Sequence, residues 1–140
     1  LVARGVARRL EAAGLPGRIV LIASQAAKNG YRCMGAYVAS KHAVLGLTRT
    51  LTIEEAPHRI TVNAVCPGFT DTDIVAAAVD NITAKTTRSR EQARATLAGF
   101  SPQGRLRSPD EVATLVAYLA SDAAAGITGQ ALAIDGGETA

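Results

Sequence analysis

Within the segment GAYVASK a tyrosine and a lysine stand four residues apart, and a serine precedes the tyrosine by thirteen residues. In a helix, Tyr37 and Lys41 lie one turn apart on the same face. Such a pair can be the acid and its electrostatic partner in a hydride-transfer enzyme, because ketone reduction needs a proton at oxygen as well as a hydride at carbon. The same pair also occurs on ordinary solvated helices. Spacing alone leaves both interpretations open.

Two apolar runs predict the strands that position these residues. The segment RIVLIAS and the segment RITVNAVCPG are rich in β-branched residues and do not alternate, which is typical of strands buried on both faces of a parallel sheet. Between them, residues 36–55 contain no proline and carry apolar residues at helical intervals. The sequence therefore predicts a strand, a helix and a second strand in this order.

The polar residues of interest follow the ends of these strands. Ser24 closes the first strand, and residues 67–72, PGFTDT, close the second. Because ligands bind beyond the carboxyl ends of parallel strands, we expect both segments to lie near Tyr37 and Lys41. Taken singly, a serine after a strand is a turn residue and Pro-Gly is a stop signal. Only the combination favours a site.

The remaining segments complete an alternating pattern. A first helix ends at Gly14 and Pro16, two short helices fall within residues 71–107, and SPDEVATLVAYLASD begins with Ser108 as N-cap and Glu111 in a capping box. QALAIDGG is a last short strand. The order α-β-α-β-(αα)-α-β predicts one α/β domain over residues 1–140, with a doubly wound parallel sheet.

Composition excludes several other classes of protein. The net charge is +3, and with 4% aromatic residues there is no basic cluster interleaved with aromatics, so we expect no nucleic-acid partner. No apolar run approaches the ~18 residues of a membrane span. Cys33 and Cys66 show no C-x-x-C spacing, which favours two reduced thiols in a cytoplasmic protein over a metal or redox site.

The motifs together resemble the C-terminal half of the short-chain dehydrogenase/reductase family over essentially all 140 residues. The pieces that carry the resemblance are GRIVLIAS, YVASK, LTIEEAPHRITVNAVCPGFTDT and SPDEVATLVAYLASDAAAGITGQALAIDGG. YVASKH, ITVNAVCPGF and SDAAAGITG are most similar to 3-oxoacyl-thioester reductases and to the ketoreductases of aromatic polyketide synthesis. The resemblance implies half of a Rossmann-type, NAD- or NADP-dependent oxidoreductase that interconverts a ketone and a secondary alcohol.

The resemblance also assigns roles to individual residues. Tyr37 is the general acid, Lys41 favours its phenolate form and bonds the nicotinamide ribose, and Ser24 donates to the substrate oxygen. Asn63 and Glu54 match structural positions, and Asp135-Gly136-Gly137 ends the last strand and shapes a pocket wall or a subunit contact. The complete set is catalytic Ser24, Tyr37 and Lys41; cofactor-binding Tyr37, Lys41, Pro67, Gly68, Thr70 and Thr72; and substrate-contacting Ser24, Gln25, Met34 and Phe69.

The substrate predictions depend on two further segments. Residues 71–107 are expected to form a lid whose basic residues either make a solvated face or bind the phosphates of coenzyme A or of an acyl-carrier phosphopantetheine. Related dehydrogenases of free 3-hydroxybutyrate carry a basic residue where Met34 stands here, so an apolar 3-oxoacyl thioester or cyclic ketone is favoured over a free carboxylate. The basic residues are Lys85, Arg88, Arg90, Arg94, Arg105 and Arg107.

Part of the family pattern has no counterpart in these residues. There is no glycine-rich loop after a strand, and no residue that would choose between NAD and NADP. We expect a longer enzyme, which the resemblance predicts to be a homodimer or homotetramer. Two alternatives stay open: a truncated or degenerate member that binds a partner without turnover, and a sugar-nucleotide epimerase or dehydratase.

Overall fold

Three parallel strands and five α-helices form the chain in the computed structural model, which describes residues 2–140. Their order confirms the predicted alternation of helices and strands. Short 3-10 turns lie at Gln25–Ala27, Ala56–His58 and Asp122–Ala124. The elements are α1 (Val2–Ala13), β1 (Gly17–Ile22), α2 (Gly35–Glu55), β2 (Ile60–Pro67), α3 (Asp73–Lys85), α4 (Arg90–Ala98), α5 (Pro109–Ala120) and β3 (Ala131–Ile134).

The sheet has the order β1-β2-β3 and is covered by helices on both faces. Ile60 and Val62 of β2 pack with α1 and α2, and Ala64 and Cys66 pack with Leu45 of α2. The opposite face of β2 presents Val65, which packs with α5. Because side chains alternate along a strand, β2 separates two apolar layers. This confirms the doubly wound α/β fold.

The two central predictions of strand burial have different outcomes. Every residue from Ile60 to Cys66 is buried, as predicted for β2. In β1 only Ile19 is buried, and Ile22 is 51% exposed. The prediction that β1 is buried on both faces is therefore wrong for the described residues. Among them β1 has a strand neighbour on one side alone, so its apolar residues are incompletely covered.

Capping signals place the helix that covers the second face. Ser108 Oγ accepts from the Glu111 N–H at 3.2 Å, and Glu111 Oε2 accepts from the Ser108 N–H at 2.7 Å, so the predicted capping box is confirmed. Leu119 is fully buried, and the rest of the apolar stripe of α5 is half-buried against the sheet. This box fixes where α5 begins beneath the loop that follows α4.

Asn63 acts as a structural clamp, as expected. It is fully buried in β2, and its Nδ2 donates to the Ile127 carbonyl at 2.7 Å while its Oδ1 accepts from the Gln130 N–H at 3.1 Å. These bonds hold the segment that leads into β3.

In the described part of the chain no helix is long and apolar enough to cross a membrane.

Candidate active site

The carboxyl ends of all three strands meet at one edge of the sheet. Ser24 follows β1, Gly68 follows β2 and Asp135 follows β3, and the Gly68 N–H donates to the Ile134 carbonyl at 3.1 Å. The long helix α2 begins at the same edge, so its first two turns carry Tyr37 and Lys41 towards the strand ends. Three loops and one helix terminus thereby enclose a common space.

That space is a cleft of about 520 Å³. Every residue that the sequence proposed for catalysis, cofactor binding or substrate contact lines it, so the structure brings the whole predicted set together. Their individual roles stay predictions. The set is Ser24, Gln25, Met34, Tyr37, Lys41, Pro67, Gly68, Phe69, Thr70 and Thr72, and the further lining residues are Ile22, Ala23, Ala26, Tyr31, Ile74, Val75 and Ala78.

Ser24 is held in place by the turn that it caps. The side chain is buried, and its Oγ accepts from the Ala26 N–H at 3.1 Å as N-cap of the 3-10 turn. This bond uses a lone pair and leaves the hydroxyl hydrogen to be donated. Ser24 can therefore be a fixed hydrogen-bond donor towards the cleft.

Tyr37 and Lys41 occupy one face of α2, as the spacing predicted. The Lys41 Nζ lies 5.6 Å from the centroid of the Tyr37 ring and donates to the Ile22 carbonyl at 3.3 Å. That bond ties the ammonium to the end of β1. Tyr37 is 42% exposed, and its hydroxyl makes no hydrogen bond to the described residues. The phenol is thus available to a ligand, with a fixed positive charge beside it.

Residues 67–72 form a tight turn with internal bonds. The Thr70 Oγ1 donates to the Gly68 carbonyl at 3.0 Å, and the Thr72 Oγ1 donates to the Thr70 carbonyl at 3.2 Å. A Cβ at Gly68 would come within 2.9 Å of the Asp135 Cα and 3.0 Å of the Gln25 Oε1. Because Gly68 has no side chain, the segments that follow β2 and β3 can pack closely. Pro67 ends the ladder because it has no N–H.

The three substrate-contacting candidates other than Ser24 differ in their surroundings. Gln25 is buried, Met34 is 40% exposed, and the Phe69 ring packs against Phe100 with centroids 5.4 Å apart. The Gln25 Nε2 donates to the Glu138 Oε1 at 3.2 Å, while its own Oε1 has no partner among the described residues. The wall is apolar at Met34 and Phe69 and polar at Gln25.

Sequence reasoning missed a tyrosine and a glutamate beside this wall. The Tyr31 hydroxyl, on the cleft, donates to the Glu138 Oε1 at 2.5 Å. Burial raises the pKa of Tyr31, and Glu138 raises it further. Burial also raises the pKa of Glu138, against the effect of the Tyr31 hydrogen bond. No local signal marks either residue, since their contact joins positions 107 residues apart.

A second cleft of about 500 Å³ lies beside α4 and the loop before α5. Two of the arginines that line it are in ion pairs: Arg94 Nη1 donates to Asp71 Oδ1 at 2.9 Å, and Arg105 Nη1 donates to Oε2 of Glu111 on α5 at 2.7 Å. Arg105 holds the pKa of Glu111 at about 2. The same guanidinium–carboxylate contact lowers the pKa of Asp71.

These ion pairs reduce the number of basic residues within 71–107 that are available to bind phosphates. Arg90 pairs with Asp80, so three of the six basic residues are in ion pairs, and Arg107 is 3% exposed with bonds to Gln103 and to the Arg105 carbonyl. Within residues 2–140, Lys85 and Arg88 make no ion pair. They are the cations of residues 71–107 best placed for an external anion.

The fold and the edge of the sheet define a Rossmann-type α/β protein, and comparison with known proteins places it further. A family model described as enoyl-(acyl carrier protein) reductase matches residues 1–139. The chain belongs to the short-chain dehydrogenase/reductase family, which confirms the resemblance noted in the sequence.

Individual relatives agree with this placement. The chain is 45% identical to the putative ketoacyl reductase of the monensin polyketide synthase of Streptomyces virginiae, over 86% of this chain and 46% of that protein. The crystal structure of the F189W actinorhodin polyketide ketoreductase with NADPH superposes with a TM-score of 0.84 at 42% identity, covering 91% of this chain and 48% of the other. A 4-hydroxyisoleucine dehydrogenase complexed with NADH gives 0.86 at 31% identity, covering 99% and 53%. The chain thus spans about half the length of the relatives that it matches.

Proposed function

We propose that this chain forms the proton-transfer half of an NAD- or NADP-dependent oxidoreductase that interconverts a ketone and a secondary alcohol. The observation that supports this most is the cleft in which Ser24, Tyr37 and Lys41 meet at the carboxyl edge of the sheet. A hydroxyl donor, an unbonded phenol and a fixed ammonium are the groups that a developing alkoxide needs.

In the direction of reduction, Tyr37 delivers its proton to the carbonyl oxygen of the substrate. The Lys41 ammonium stabilises the phenolate that remains, and its bond to the Ile22 carbonyl keeps it at a fixed distance from the ring. Ser24 donates to the same oxygen while charge develops on it. In the direction of oxidation, Tyr37 as phenolate accepts the proton of the alcohol.

The residues present fit a nicotinamide cofactor. The Lys41 ammonium has three N–H donors and uses one on the Ile22 carbonyl, so two are left for ribose hydroxyls. The turn at residues 67–72 supplies Pro67, Gly68, Thr70 and Thr72 along one side of the cleft, where we expect the carboxamide to bind. When bound, the reduced cofactor supplies the hydride. NADPH and NADH in the two related structures are consistent with either cofactor here.

The walls support an apolar ketone, such as a 3-oxoacyl thioester or a cyclic ketone. Met34, Phe69, Ile74 and Val75 present carbon atoms to the cleft, and α3 and α4 pack on each other through Val75, Val79, Ala93 and Leu97. We infer that α3 and α4, within residues 71–107, form the lid over the substrate. Exposed Lys85 and Arg88 on this lid are suited to the phosphates of an acyl carrier or of coenzyme A.

Exposed apolar residues support assembly of the whole protein as a homodimer or homotetramer. Leu47 and Ile53 on α2 and Tyr118 on α5 are all more than one-third exposed. We infer that subunits pack on these exposed apolar side chains, which lie on the helices that cover the two faces of the sheet. Light scattering of the purified protein measures the oligomeric state, and a monomer at micromolar concentration would contradict this part of the proposal.

The function is tested on the protein expressed from its complete gene. We expect NADPH or NADH oxidation at 340 nm with ethyl 3-oxobutanoate, a cyclic ketone or a 3-oxoacyl thioester, and we expect Tyr37→Phe to lower its rate by roughly 10³-fold. Thr83→Ala, which removes a partly exposed hydroxyl on α3, is the matched control. If the folded wild-type protein oxidises neither cofactor with any of these ketones, the proposal is wrong and the partner-binding alternative takes its place.

The carrier prediction has its own matched pair of variants. Arg88→Glu removes a lid cation that has no ion pair among the described residues, whereas Arg90→Glu removes one that Asp80 already neutralises. We expect Arg88→Glu to raise KM for a coenzyme A thioester and to leave KM for a small ketone unchanged. Equal changes with both substrates would show that the lid cations are a solvated face.

A further inference from the structure

One polar contact joins the C-terminal loop to the wall of the main cleft. Gln25 and Tyr31 line the cleft, and both donate to the Glu138 Oε1, at 3.2 and 2.5 Å. The loop itself is fixed, because the Asp135 carboxylate accepts from the Gly137 and Thr139 N–H groups. Glu138 is therefore held one side chain behind the cleft surface.

The hydrogen bonds around Glu138 favour its carboxylate form. Tyr31 keeps its proton, because burial and the neighbouring carboxylate both raise its pKa. Two donors point at the Glu138 Oε1 and favour its ionised form, against the effect of burial, which raises the pKa of Glu138. Within the described residues no lysine, arginine or histidine pairs with Glu138. Asp135, also nearby, adds negative charge and raises the pKa of Glu138.

We propose that Glu138 is a specificity-determining residue that makes the cleft select uncharged ketones over ketones that carry a free carboxylate. This inference rests on the proposed function, since it concerns the substrate of the same cleft. A carboxylate on the substrate that approaches the Gln25–Tyr31 wall meets a like charge that lies directly behind Tyr31 and Gln25. Such juxtaposition excludes a competing ligand more strongly than a missing attraction does.

Among the described residues, the one cation that lines the cleft lies away from the Gln25–Tyr31 wall, so it does not offset the repulsion by Glu138. Lys41 is the cation among the lining residues, but it lies beside Tyr37 and is bonded to the end of β1. A ketone whose oxygen meets Tyr37 directs the rest of its chain away from Lys41. At the polar wall that chain contacts Gln25 and Tyr31, with Glu138 behind them, and at the apolar wall it contacts Met34 and Phe69.

The test compares kcat/KM for ethyl 3-oxobutanoate with kcat/KM for 3-oxobutanoate in the complete protein. Glu138→Gln keeps the shape and one acceptor oxygen but removes the charge. We expect it to lower the preference for the ester by about tenfold, mainly through a lower KM for the acid. Tyr31→Phe removes a donor but leaves the charge, so we expect the preference to be kept or increased. Asp122→Asn, an exposed carboxylate at another surface, is the charge control.

The outcomes separate three explanations. An unchanged preference in Glu138→Gln, with a melting temperature like that of the wild type, overturns the inference alone. An equal loss of preference in Tyr31→Phe also overturns it, because the hydrogen-bonded structure and not the charge would then set selectivity. If Glu138→Gln does not fold, the preference of Glu138→Asp for the ester is measured at low and at high salt. An equal preference in both then contradicts the inference. Absence of turnover with any ketone in the wild type removes the proposed function itself.

Discussion

The two clefts of this chain have nearly the same volume, but they differ in whether their polar groups are bonded within the chain. Of the residues that line the cleft beside α4, Arg94 is paired with Asp71, and Arg105 is paired with Glu111 of α5. In the cleft at the sheet edge, the Tyr37 hydroxyl has no partner among the described residues and Ser24 keeps its hydrogen. Size therefore does not distinguish the two, but the polar groups left free for a ligand do.

The difference shows how a fold separates structural from chemical polar groups. Charges that pair within the chain fix a loop and offer little to a ligand. Groups held by one bond, such as Lys41 on the Ile22 carbonyl, have both a fixed position and unused donors. Preorganised and unsatisfied groups of this second kind are what transition-state stabilisation requires.

The largest expected effect comes from removing the free phenol. Tyr37→Phe keeps the ring next to Lys41 and removes the proton donor. We expect kcat of the complete protein to fall by roughly 10³-fold with an unchanged melting temperature, because general acid catalysis contributes about 10²–10⁴-fold. Steady-state kinetics with NADPH or NADH measures it. Turnover within tenfold of the wild type would assign the proton transfer to another group.

A smaller loss is expected from the serine. Ser24→Ala removes a donor to the developing oxyanion and also removes the cap on the Ala26 N–H. We expect kcat to fall by about 10²-fold, the effect of losing one such donor. Ser24→Thr retains the hydroxyl and should recover part of the rate. If Ser24→Ala lowers thermal stability but leaves kcat unchanged, the residue serves only as a cap.

The packing behind the main cleft predicts a loss of stability. Gly68→Ala places a methyl group within 2.9 Å of the Asp135 Cα, where the backbone must move. We expect the free energy of unfolding to fall by about 2 kcal/mol, as for other overpacked sites. Gly30→Ala is the matched control, since nothing lies within 4 Å of its added methyl. Urea unfolding of both variants tests the comparison, and equal losses would contradict it.

The smallest effect belongs to the paired charges of the second cleft. Glu111→Gln breaks the ion pair with Arg105 but keeps an acceptor for the Ser108 N–H. We expect a change in melting temperature below about 2 °C at neutral pH, because exposed pairs contribute little.

The same pair gives the stability a pH dependence of known sign. The pKa of Glu111 is lowered from 4.5 to about 2, so its contribution is present above pH 4.5 and is lost as the pH falls towards 2. Urea unfolding of wild type and Glu111→Gln at pH 7 and pH 3 measures the loss. A difference between them that grows on acidification would contradict the assignment.

Local patterns were sufficient for the elements and for most of the cleft. The buried run before Pro67, the capping box at Ser108 and the four-residue spacing of Tyr37 and Lys41 are short-range signals, and the structure has the features that they predict. The edge of a parallel sheet then brings distant loops together by topology. This is why residues chosen by position after a strand share one cleft.

What the sequence could not show depends on three-dimensional pairing. The exposure of Ile22 follows from which strands lie beside β1, and a run of apolar letters does not contain that information. The partners of Arg90, Arg94 and Arg105 are carboxylates on other turns and helices. Glu138 carries no motif, and only the folded loop brings it to Tyr31.

The bond from Gln25 to Glu138 also determines when the cleft can form during synthesis. The two residues are 113 positions apart. The hydrogen bond from the Gly68 N–H likewise needs the Ile134 carbonyl, which is translated later. At the usual elongation rates of about 5–20 residues per second, Gln25 emerges roughly 6–23 s before its partner. During that interval β1 and β2 are translated without the strand end that closes their edge. A nascent-chain protease assay should find the segment after Ser24 cleavable until β3 has emerged, and protected afterwards.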